Sequence, residues 1–238
     1  MYHSISDSSA FFAVTPSAFA AQMALIHARG MKSVFASDVP ALLSSENPED
    51  TICVTFDDGY KDNYITVFPI LKKYGIRATI FLITDYVGAM RTVRGRAYRM
   101  LSEEQIKEMH ESGLVEFMPH TQTHPDLDRI PLDTAIREIE GSRTRVEALT
   151  GKPANLCAYP RGRYTHDILE YLRDSEAWRG AFGVVRGFAT TKSDRYLLPR
   201  NAIDSATGKR AFSALLKGNL LVYRILKAIA ARSTFFSV

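Results

Sequence analysis

Short apolar runs alternate with longer helix-like segments along most of the chain, and this alternation restricts the possible fold more than any other feature of the sequence. The runs predicted as strands are residues 33–36, 52–56, 78–83, 115–118, 155–159, 180–185 and 196–198. The segments predicted as helices are 16–29, 64–74, 102–112, 132–149 and 166–175. The first four helices are followed by Gly30, Gly75, Gly113 and Gly151, where a left-handed residue ends a helix. The pattern predicts an α/β fold with a parallel sheet or barrel.

The length and composition fit one soluble domain. With 238 residues, 46% of them hydrophobic, the chain can build one complete core. No apolar run is long enough to cross a membrane, and the N-terminus lacks the pattern of a signal peptide. Residues 1–3 have the pattern of the end of a strand, so either the first strand is short or the true start lies upstream. We expect a cytoplasmic or membrane-associated protein as the sequence stands, and an extracytoplasmic one if the N-terminus is truncated.

The net charge of +4 is concentrated at the C-terminus. Residues 205–238 contain no acidic residue, and their basic residues are Lys209, Arg210, Lys217, Arg224, Lys227 and Arg232. Because the rest of the chain is close to neutral, the basic excess does not form a nucleic-acid-binding face, and no nucleic-acid partner is expected.

The same tail is amphipathic when it is drawn as one helix. One face carries Leu215, Val222, Leu226 and Ile229, and the other carries Lys217, Arg224 and Lys227. A helix packed on the rest of the domain is the favoured interpretation. The alternative is a helix on a membrane surface, which the terminal Phe235 and Phe236 also fit.

Two adjacent carboxylates stand at the end of a predicted buried strand. Asp57 and Asp58 follow the run 52–56, and Gly59 permits a tight turn after them. Adjacent buried acids are electrostatically costly unless a cation or hydrogen-bond donors compensate. The alternative is an Asp-Gly turn with two solvated carboxylates.

A pair of histidines follows another predicted strand. His120 and His124 lie after the run 115–118, and Pro125 disfavours a helix at that point. They are either surface histidines of a polar loop or a converging pair of metal ligands. Two neutral imidazoles and one carboxylate supply three ligands to a divalent ion and leave positions open for water and substrate. The second carboxylate is then free to act as a base. Both pieces follow strands, at the end of a parallel sheet where such folds build active sites.

Three motifs in order give the chain a resemblance to a known family. They are TFDDGY at 55–60, the histidine pair followed by Pro-Asp-Leu up to residue 127, and AYPRGRY at 158–164. Over residues 1–204 the chain resembles the polysaccharide deacetylases of the NodB-homology type, also called carbohydrate esterase family 4. The opening at residues 2–3 and the Leu-Pro-Arg at 198–200 are most similar to the branch that deacetylates poly-N-acetylglucosamine.

The resemblance implies a distorted (β/α)7 barrel over residues 1–204, followed by the basic amphipathic tail 205–238. It implies a divalent metal, zinc by preference, and hydrolysis of N-acetyl groups on the amino sugars of a polysaccharide or a lipid-linked glycan. Carried over by position, Asp57 is the base, and the metal ligands are Asp58, His120 and His124. The backbone N–H of Tyr60 is the expected donor to the oxyanion.

Two positions depart from the family pattern. A late Leu-x-His motif, which supplies a general acid in many members, is absent, because residues 197–204 read LLPRNAID. His3 is the candidate acid, and a histidine bonded locally at the strand end is the alternative. The third motif often begins with an arginine that orients the base, but this chain has Ala158 there. Arg200 is the expected replacement, through a bidentate pair with Asp57, and Arg161 and Arg163 are alternatives.

Other residues receive structural interpretations. Trp178 is predicted to pack in the core, and His110 and His166 are predicted to lie on the surface. Three functions remain open: the N-deacetylase, a deformylase or O-acetyl esterase with the same site, and a catalytically inactive glycan-binding barrel.

Overall fold

The computed structural model describes residues 1–44 and 50–235, with side chains described as far as residue 231. The strands are β1 (Ser4–Ile5), β2 (Ala13–Val14), β3 (Lys32–Val34), β4 (Thr51–Cys53), β5 (Thr55–Asp58), β6 (Ala78–Leu82), β7 (Met90–Val93), β8 (Arg96–Arg99), β9 (Val115–Pro119), β10 (Leu156–Ala158) and β11 (Gly180–Phe182). The helices are α1 (Pro16–Ala28), α2 (Val39–Leu42), α3 (Phe68–Tyr74), α4 (Glu103–Glu111), α5 (Leu132–Thr150), α6 (His166–Asp174), α7 (Lys209–Leu216) and α8 (Leu220–Phe235). The alternation predicts this α/β architecture correctly.

Parallel pairing dominates the sheets. β6 lies between β5 and β9, and Leu82 at its end is level with both Asp58 and Pro119. The pairs β1–β2, β3–β4 and β10–β11 are also parallel. Because parallel strands need crossover connections, helices join most of them and cover the sheet. The carboxyl ends of β5, β6 and β9 therefore meet at one edge.

Two details of the predicted strands are wrong. The predicted strand 196–198 is reduced to a single bridge, in which Leu198 pairs with Phe182. The antiparallel hairpin β7–β8 was not predicted, because four arginines interrupt its apolar pattern at positions 91, 94, 96 and 99. Its turn, Arg94-Gly95, has positive φ at both residues, 48° and 77°, which suits the twist of a two-residue hairpin.

The core has two main parts. The larger one packs α1, α3 and α4 against the central sheet around Phe19, Phe56 and Ile80. A second cluster lies between α5, α6 and β10 and contains Trp178, which is 2% exposed. The indole Nε1 of Trp178 donates to Glu140 at 2.7 Å, so the prediction that this residue packs in the core is confirmed. The four glycines predicted to end helices all have positive φ.

The tail differs from the single amphipathic helix of the sequence analysis. It forms two helices, because Gly218 takes φ +73° and Asn219 Oδ1 then caps α8 by accepting from the Val222 N–H at 3.0 Å. Lys227, predicted on the polar face, is 8% exposed and pairs with Asp204 at 2.7 Å, whereas Ile229 is 60% exposed. The predicted faces of the tail are therefore confirmed only in part: Leu215 and Leu226 pack on the core and Lys217 and Arg224 are exposed, but the positions of Val222, Lys227 and Ile229 are the reverse of those predicted. Phe236 lies outside the described residues, and the side chain of Phe235 is not described.

The tail nevertheless packs on the domain, as the favoured interpretation predicted. Phe212 of α7 is 3% exposed, and Tyr223 of α8 is fully buried, with its hydroxyl donating to the Ala202 carbonyl at 2.6 Å. Within the described part of the chain, no helix combines the length and the apolar content that crossing a bilayer requires.

Candidate metal and catalytic site

The candidate ligands lie at the shared carboxyl edge of the central sheet. Asp57 and Asp58 are the last residues of β5, and His120 directly follows β9. The His120 N–H donates to the Leu82 carbonyl at 2.8 Å, so the end of β6 fixes the loop that carries both histidines. The site is thus built from strand ends.

Backbone strain is concentrated at this edge. Asp58, Thr121 and His124 have φ of 77°, 66° and 65°, a region that residues with a Cβ rarely adopt. Gly59 has φ 83°, and a Cβ there would lie 2.6 Å from Cδ2 of Leu82. Each strained residue costs about 1–3 kcal/mol, and such conformations cluster at functional sites. Two of the strained residues, Asp58 and His124, belong to the group of candidate metal ligands.

Asp58, His120 and His124 converge there. Their ligand atoms lie within 4.8 Å of one another. Oδ1 of Asp58 is 3.8 Å from Nε2 of His120 and 3.7 Å from Nε2 of His124. The two imidazoles meet edge to face, with ring centroids 4.9 Å apart. Two imidazole nitrogens and one carboxylate oxygen are a ligand set that suits zinc and similar divalent ions.

The hydrogen bonds of these side chains fit a metal. His120 Nδ1 lies 2.7 Å from the Ala158 carbonyl, so this nitrogen carries the proton and Nε2 keeps its lone pair for a cation. Oδ1 of Asp58 is buried and has no hydrogen-bond partner among the described residues. A buried carboxylate oxygen without a donor is costly unless a cation faces it. The three residues therefore fit a divalent metal.

The charge states also fit. Burial lowers the pKa of His120, and burial together with the neighbouring His120 lowers the pKa of His124 to about 3, so both imidazoles are neutral at pH 7. Burial alone would favour the neutral acid of Asp58, but the nearby His3 and Arg91 outweigh it and hold its pKa below the usual range. Neutral imidazoles and an ionised carboxylate are the forms that bind metals.

Asp57 is held by an arginine fork. Arg200 donates from its two terminal nitrogens to Oδ1 at 2.6 Å and to Oδ2 at 2.9 Å of Asp57, and its Nε donates to the Gly183 carbonyl at 2.9 Å. Both side chains are 4% exposed. Burial alone would raise the pKa of Asp57, but Arg200, His120 and His3 together lower it. Asp57 is therefore an ionised carboxylate in a fixed orientation, with Oδ2 4.0 Å from Nε2 of His120.

A second arginine at the site was missed by the sequence analysis. Arg91, at the start of the hairpin β7–β8, places a terminal nitrogen 2.7 Å from Oδ2 of Asp58, with only 10% of its side chain exposed. Burial and the Asp58 carboxylate raise the pKa of the neighbouring Tyr60, so its hydroxyl stays protonated. The run of arginines in the hairpin was the available signal, but nothing in its spacing points to a carboxylate of β5.

Of the remaining candidates, His3 lies near the two aspartates, whereas Arg161 and Arg163 do not. His3 is half-buried, lies with its ring 5.9 Å from that of Phe12, and is close enough to lower the pKa of both aspartates. Arg161 and Arg163 pair with Asp126 and Asp128, beside the histidine loop, and are not brought to Asp57.

Two further histidines lie away from the site. His166 is exposed at the start of α6, as predicted. His110 is half-buried near the end of α4, so the prediction of a surface position holds only in part.

Comparisons with known proteins agree with this geometry. The family model for polysaccharide deacetylase matches residues 44–177. The protein YxkH of Bacillus subtilis is 31% identical over 219 residues, 91% of this chain and 75% of the relative. The poly-beta-1,6-N-acetyl-D-glucosamine N-deacetylase of Staphylococcus epidermidis is 30% identical over 181 residues, 71% of this chain but only 59% of that protein. Among solved structures, the Streptococcus pyogenes deacetylase PplD in complex with acetate superposes with a TM-score of 0.80 at 27% identity, covering 92% of this chain and 95% of PplD.

The matched residues 44–177 include Asp57, Asp58, His120 and His124, and the similarity to PplD extends over nearly the whole chain. The relatives with named reactions release an acyl group from an amide, which is hydrolysis of a carbon–nitrogen bond other than a peptide bond. The chain therefore belongs to the polysaccharide deacetylase family, as a hydrolase of this class.

Proposed function

We propose that this protein removes N-acetyl groups from amino sugars of a polysaccharide or lipid-linked glycan, with a divalent metal, zinc by preference, held by Asp58, His120 and His124. One observation carries the proposal. Two adjacent buried carboxylates are both ionised but differently engaged, since Asp57 is clamped by Arg200 while Oδ1 of Asp58 faces two neutral imidazoles. The acetate in the PplD complex and the named substrate of the staphylococcal relative support an acetyl group on glucosamine.

Asp57 is the proposed base. A divalent metal at the site would act as a Lewis acid toward water and the substrate carbonyl. Asp57 accepts the proton of the attacking water, because it is ionised and lies beside the ligand group. Its lowered pKa makes Asp57 a weak base, so a metal at the site would be needed to make the water more acidic. Arg200 holds both oxygens of Asp57, so the carboxylate can accept the proton without changing its orientation.

Two further roles complete the reaction. The backbone N–H of Tyr60, directly after Gly59 at the end of β5, is the proposed donor to the oxyanion of the tetrahedral intermediate. His3 is the proposed acid that protonates the leaving amine, and its influence on the pKa values of both aspartates supports this position. Breakdown of the intermediate then releases acetate and the free amino sugar.

We further propose that the parallel strands close into the distorted (β/α)7 barrel within residues 1–204. Three backbone hydrogen bonds between segments that lie far apart in the chain support it. The Tyr2 N–H donates to the Thr55 carbonyl at 2.8 Å, and the Leu198 N–H donates to the Ala181 carbonyl at 2.9 Å. The Ile203 N–H donates to the Met1 carbonyl at 2.8 Å, which joins the last segment to the first.

The reaction is tested by amine release from N-acetylglucosamine oligomers, with and without chelator and with zinc added back. Asp57→Asn is isosteric and spares the three ligands, so we expect it to lose activity by about 100-fold or more while zinc binding persists. His3→Ala is expected to lower kcat with unchanged zinc affinity, and full activity would remove His3 from the mechanism.

Other acyl substrates separate the alternatives. A matched panel of O-acetyl and N-formyl sugars is assayed under the same conditions. Release from these substrates alone would replace the N-deacetylase proposal with an esterase or a deformylase. Zinc binding without release from any substrate would favour a glycan-binding protein.

A further inference from the structure

The outward face of α8 is apolar, which is the reverse of an ordinary surface helix. Leu221, Val222, Ile225 and Ile229 are 67%, 38%, 49% and 60% exposed. Their spacing places them along one side of the helix. The side that faces the protein holds Tyr223 and the charged Lys227. A helix that served only to cover the domain would turn its lysine outward and its isoleucines inward.

The buried lysine is satisfied on the protein side. Its Nζ pairs with Asp204 at 2.7 Å and donates to the Ala202 carbonyl at 2.6 Å. Asp204 also accepts from the N–H of Ala206 at 3.1 Å. These contacts fix the rotation of α8 about its axis. The apolar residues are therefore held outward by a specific set of polar contacts.

A basic depression of about 380 Å³ adjoins this face. Arg224 of α8, Arg186 and the ring of Phe11 contribute to its lining. Asp204 also lines it, but Lys227 neutralises that carboxylate. Within residues 1–44 and 50–231, neither Arg186 nor Arg224 has a carboxylate at salt-bridge distance. Arg94 adds a further positive charge 4.8 Å from the Phe11 ring.

We propose that the outward face of α8, together with this basic depression, docks on the surface of an anionic phospholipid bilayer. Apolar side chains flanked by arginines suit the boundary between acyl chains and anionic headgroups. The absence of any acidic residue in 205–238 removes the repulsion that such a surface would otherwise meet. The interaction is peripheral, along the helix, and needs no spanning segment.

Charge decides between a bilayer and a second copy of this chain. A symmetric dimer through α8 would set two surfaces of the same positive charge against each other, and 205–238 contains no acidic residue that could pair with Arg224 of the other copy. An anionic surface instead supplies the opposite charge to every arginine on this face.

The docking face is also close to the candidate catalytic edge. The rings of Phe11 and Phe12 are 5.4 Å apart, and Phe12 stacks on Tyr60 with centroids 5.6 Å apart. Phe12 also lies 5.9 Å from the ring of His3. Docking would therefore bring the site close to the membrane, where a lipid-linked glycan or a polymer emerging from the bilayer is found. This consequence rests on the proposed function, whereas the docking itself does not.

The test is flotation of the full chain with phosphatidylcholine vesicles that contain or lack phosphatidylglycerol. Ile225→Ser combined with Ile229→Ser is expected to weaken binding to anionic vesicles by about tenfold or more, because two exposed apolar side chains are lost. Arg186→Ser combined with Arg224→Ser is expected to weaken binding by a similar factor and to remove most of its salt dependence. Neutral vesicles are expected to bind weakly.

Matched controls use residues that do not line this face. Ile65→Ser, at a side chain 61% exposed before α3, controls for loss of apolar surface. Lys152→Ser combined with Arg179→Ser, both exposed, controls for charge. All variants leave the core intact, so circular dichroism and release from soluble oligomers should not change. A truncation before α8 is less useful, because it would remove the buried Tyr223.

Three results would overturn the proposal. They are absence of binding to anionic vesicles, equal binding by the α8 variants and their controls, and a dimer in sedimentation that Ile225→Ser with Ile229→Ser makes monomeric. The last would assign this face to a second copy. Failure of catalysis with normal vesicle binding would count against the proposed reaction alone.

Discussion

Asp57 and Asp58 are neighbours in sequence, and each is a buried carboxylate paired with an arginine, but the two arginines come from different regions. Arg200 comes from the last segment of the predicted barrel, and its guanidinium lies 5.2 Å from the centroid of Phe81 and 5.8 Å from that of Phe182. Arg91 comes from the hairpin β7–β8, which forms a sheet of its own and is joined to the segment after β5 by the Lys61 N–H, which donates to the Arg99 carbonyl at 2.9 Å. Asp57 is therefore held by an arginine that packs against the core, and Asp58 is held by an arginine of the hairpin β7–β8.

The difference lies in how many oxygens each arginine takes. Arg200 engages both oxygens of Asp57 and is itself anchored on Gly183, so that carboxylate cannot rotate. Arg91 engages only Oδ2 of Asp58 and leaves Oδ1 toward the two histidines. A fully clamped carboxylate suits a base whose position must not change. A carboxylate held on one side suits a metal ligand.

The largest effect is expected from removing the clamp. Arg200→Met leaves the Asp57 carboxylate buried without a partner, so the free energy of unfolding should fall by about 3–5 kcal/mol. Arg200→Lys keeps the charge but loses the fork, and we expect a loss of about 100-fold in turnover with the fold intact, because the base is no longer oriented. Chemical denaturation and amine release measure the two effects.

The control for this prediction is an exposed pair. Arg163→Met breaks the pair with Asp128, which joins side chains 38% and 34% exposed, and should cost less than about 1 kcal/mol. Combining Arg200→Met with Asp57→Asn should restore most of the lost stability, because no charge is then left unpaired. If Arg200→Met lowered the free energy of unfolding no more than Arg163→Met does, the buried pair of Arg200 and Asp57 would not differ from an exposed pair.

The hairpin arginine should act on metal affinity instead. Arg91→Met frees Oδ2 of Asp58, and loss of a partner that orients a ligand typically lowers affinity by about 10- to 100-fold. Zinc titration against a competing chelator measures this directly. Stability of the zinc-loaded protein should fall less than in Arg200→Met, because the cation then partners Asp58.

Arg94→Met is the matched control for Arg91→Met. It lies in the turn of the same hairpin, is exposed, and contacts Phe11 rather than a carboxylate of β5. Its zinc affinity should equal that of the unaltered protein. A rise in affinity on Arg91→Met would mean that repulsion between the guanidinium and the cation outweighs the orientation of Asp58.

The same contrast explains what could be predicted from the sequence. Asp57, Asp58, His120 and His124 directly follow apolar runs, and the ends of parallel strands meet at one edge, so local pattern was enough to bring them together. Arg91 lies in a hairpin whose arginines hide the alternation of a strand. The rotation of α8 depends on the pair between Lys227 and Asp204, which lie on different segments, and a helical projection contains no information about it.

The smallest effect on stability is expected from Glu140, a carboxylate that lies outside the candidate site and is not held by an arginine fork. Glu140 accepts hydrogen bonds from Trp178 Nε1 at 2.7 Å, Tyr171 at 2.9 Å and Arg143 Nε at 2.8 Å, with its side chain 26% exposed. Burial alone would raise its pKa, but these donors lower it below the ordinary value of 4.5. The stabilisation that follows from this shift is present above pH 4.5 and is lost as the pH falls through the lower pKa of the folded state.

Glu140→Gln should therefore flatten the acid limb of the stability curve below pH 4.5 and cost about 1 kcal/mol or less at neutral pH, since the amide oxygen can still accept from Trp178. Zinc affinity and turnover should stay unchanged, because Glu140 contacts the second core cluster and not the strand ends. Thermal unfolding as a function of pH, beside zinc titration, measures both. A loss of zinc affinity would show that the site depends on the packing between α5 and α6. Arg91 and Arg200 would then not be the sole source of the difference between Asp57 and Asp58.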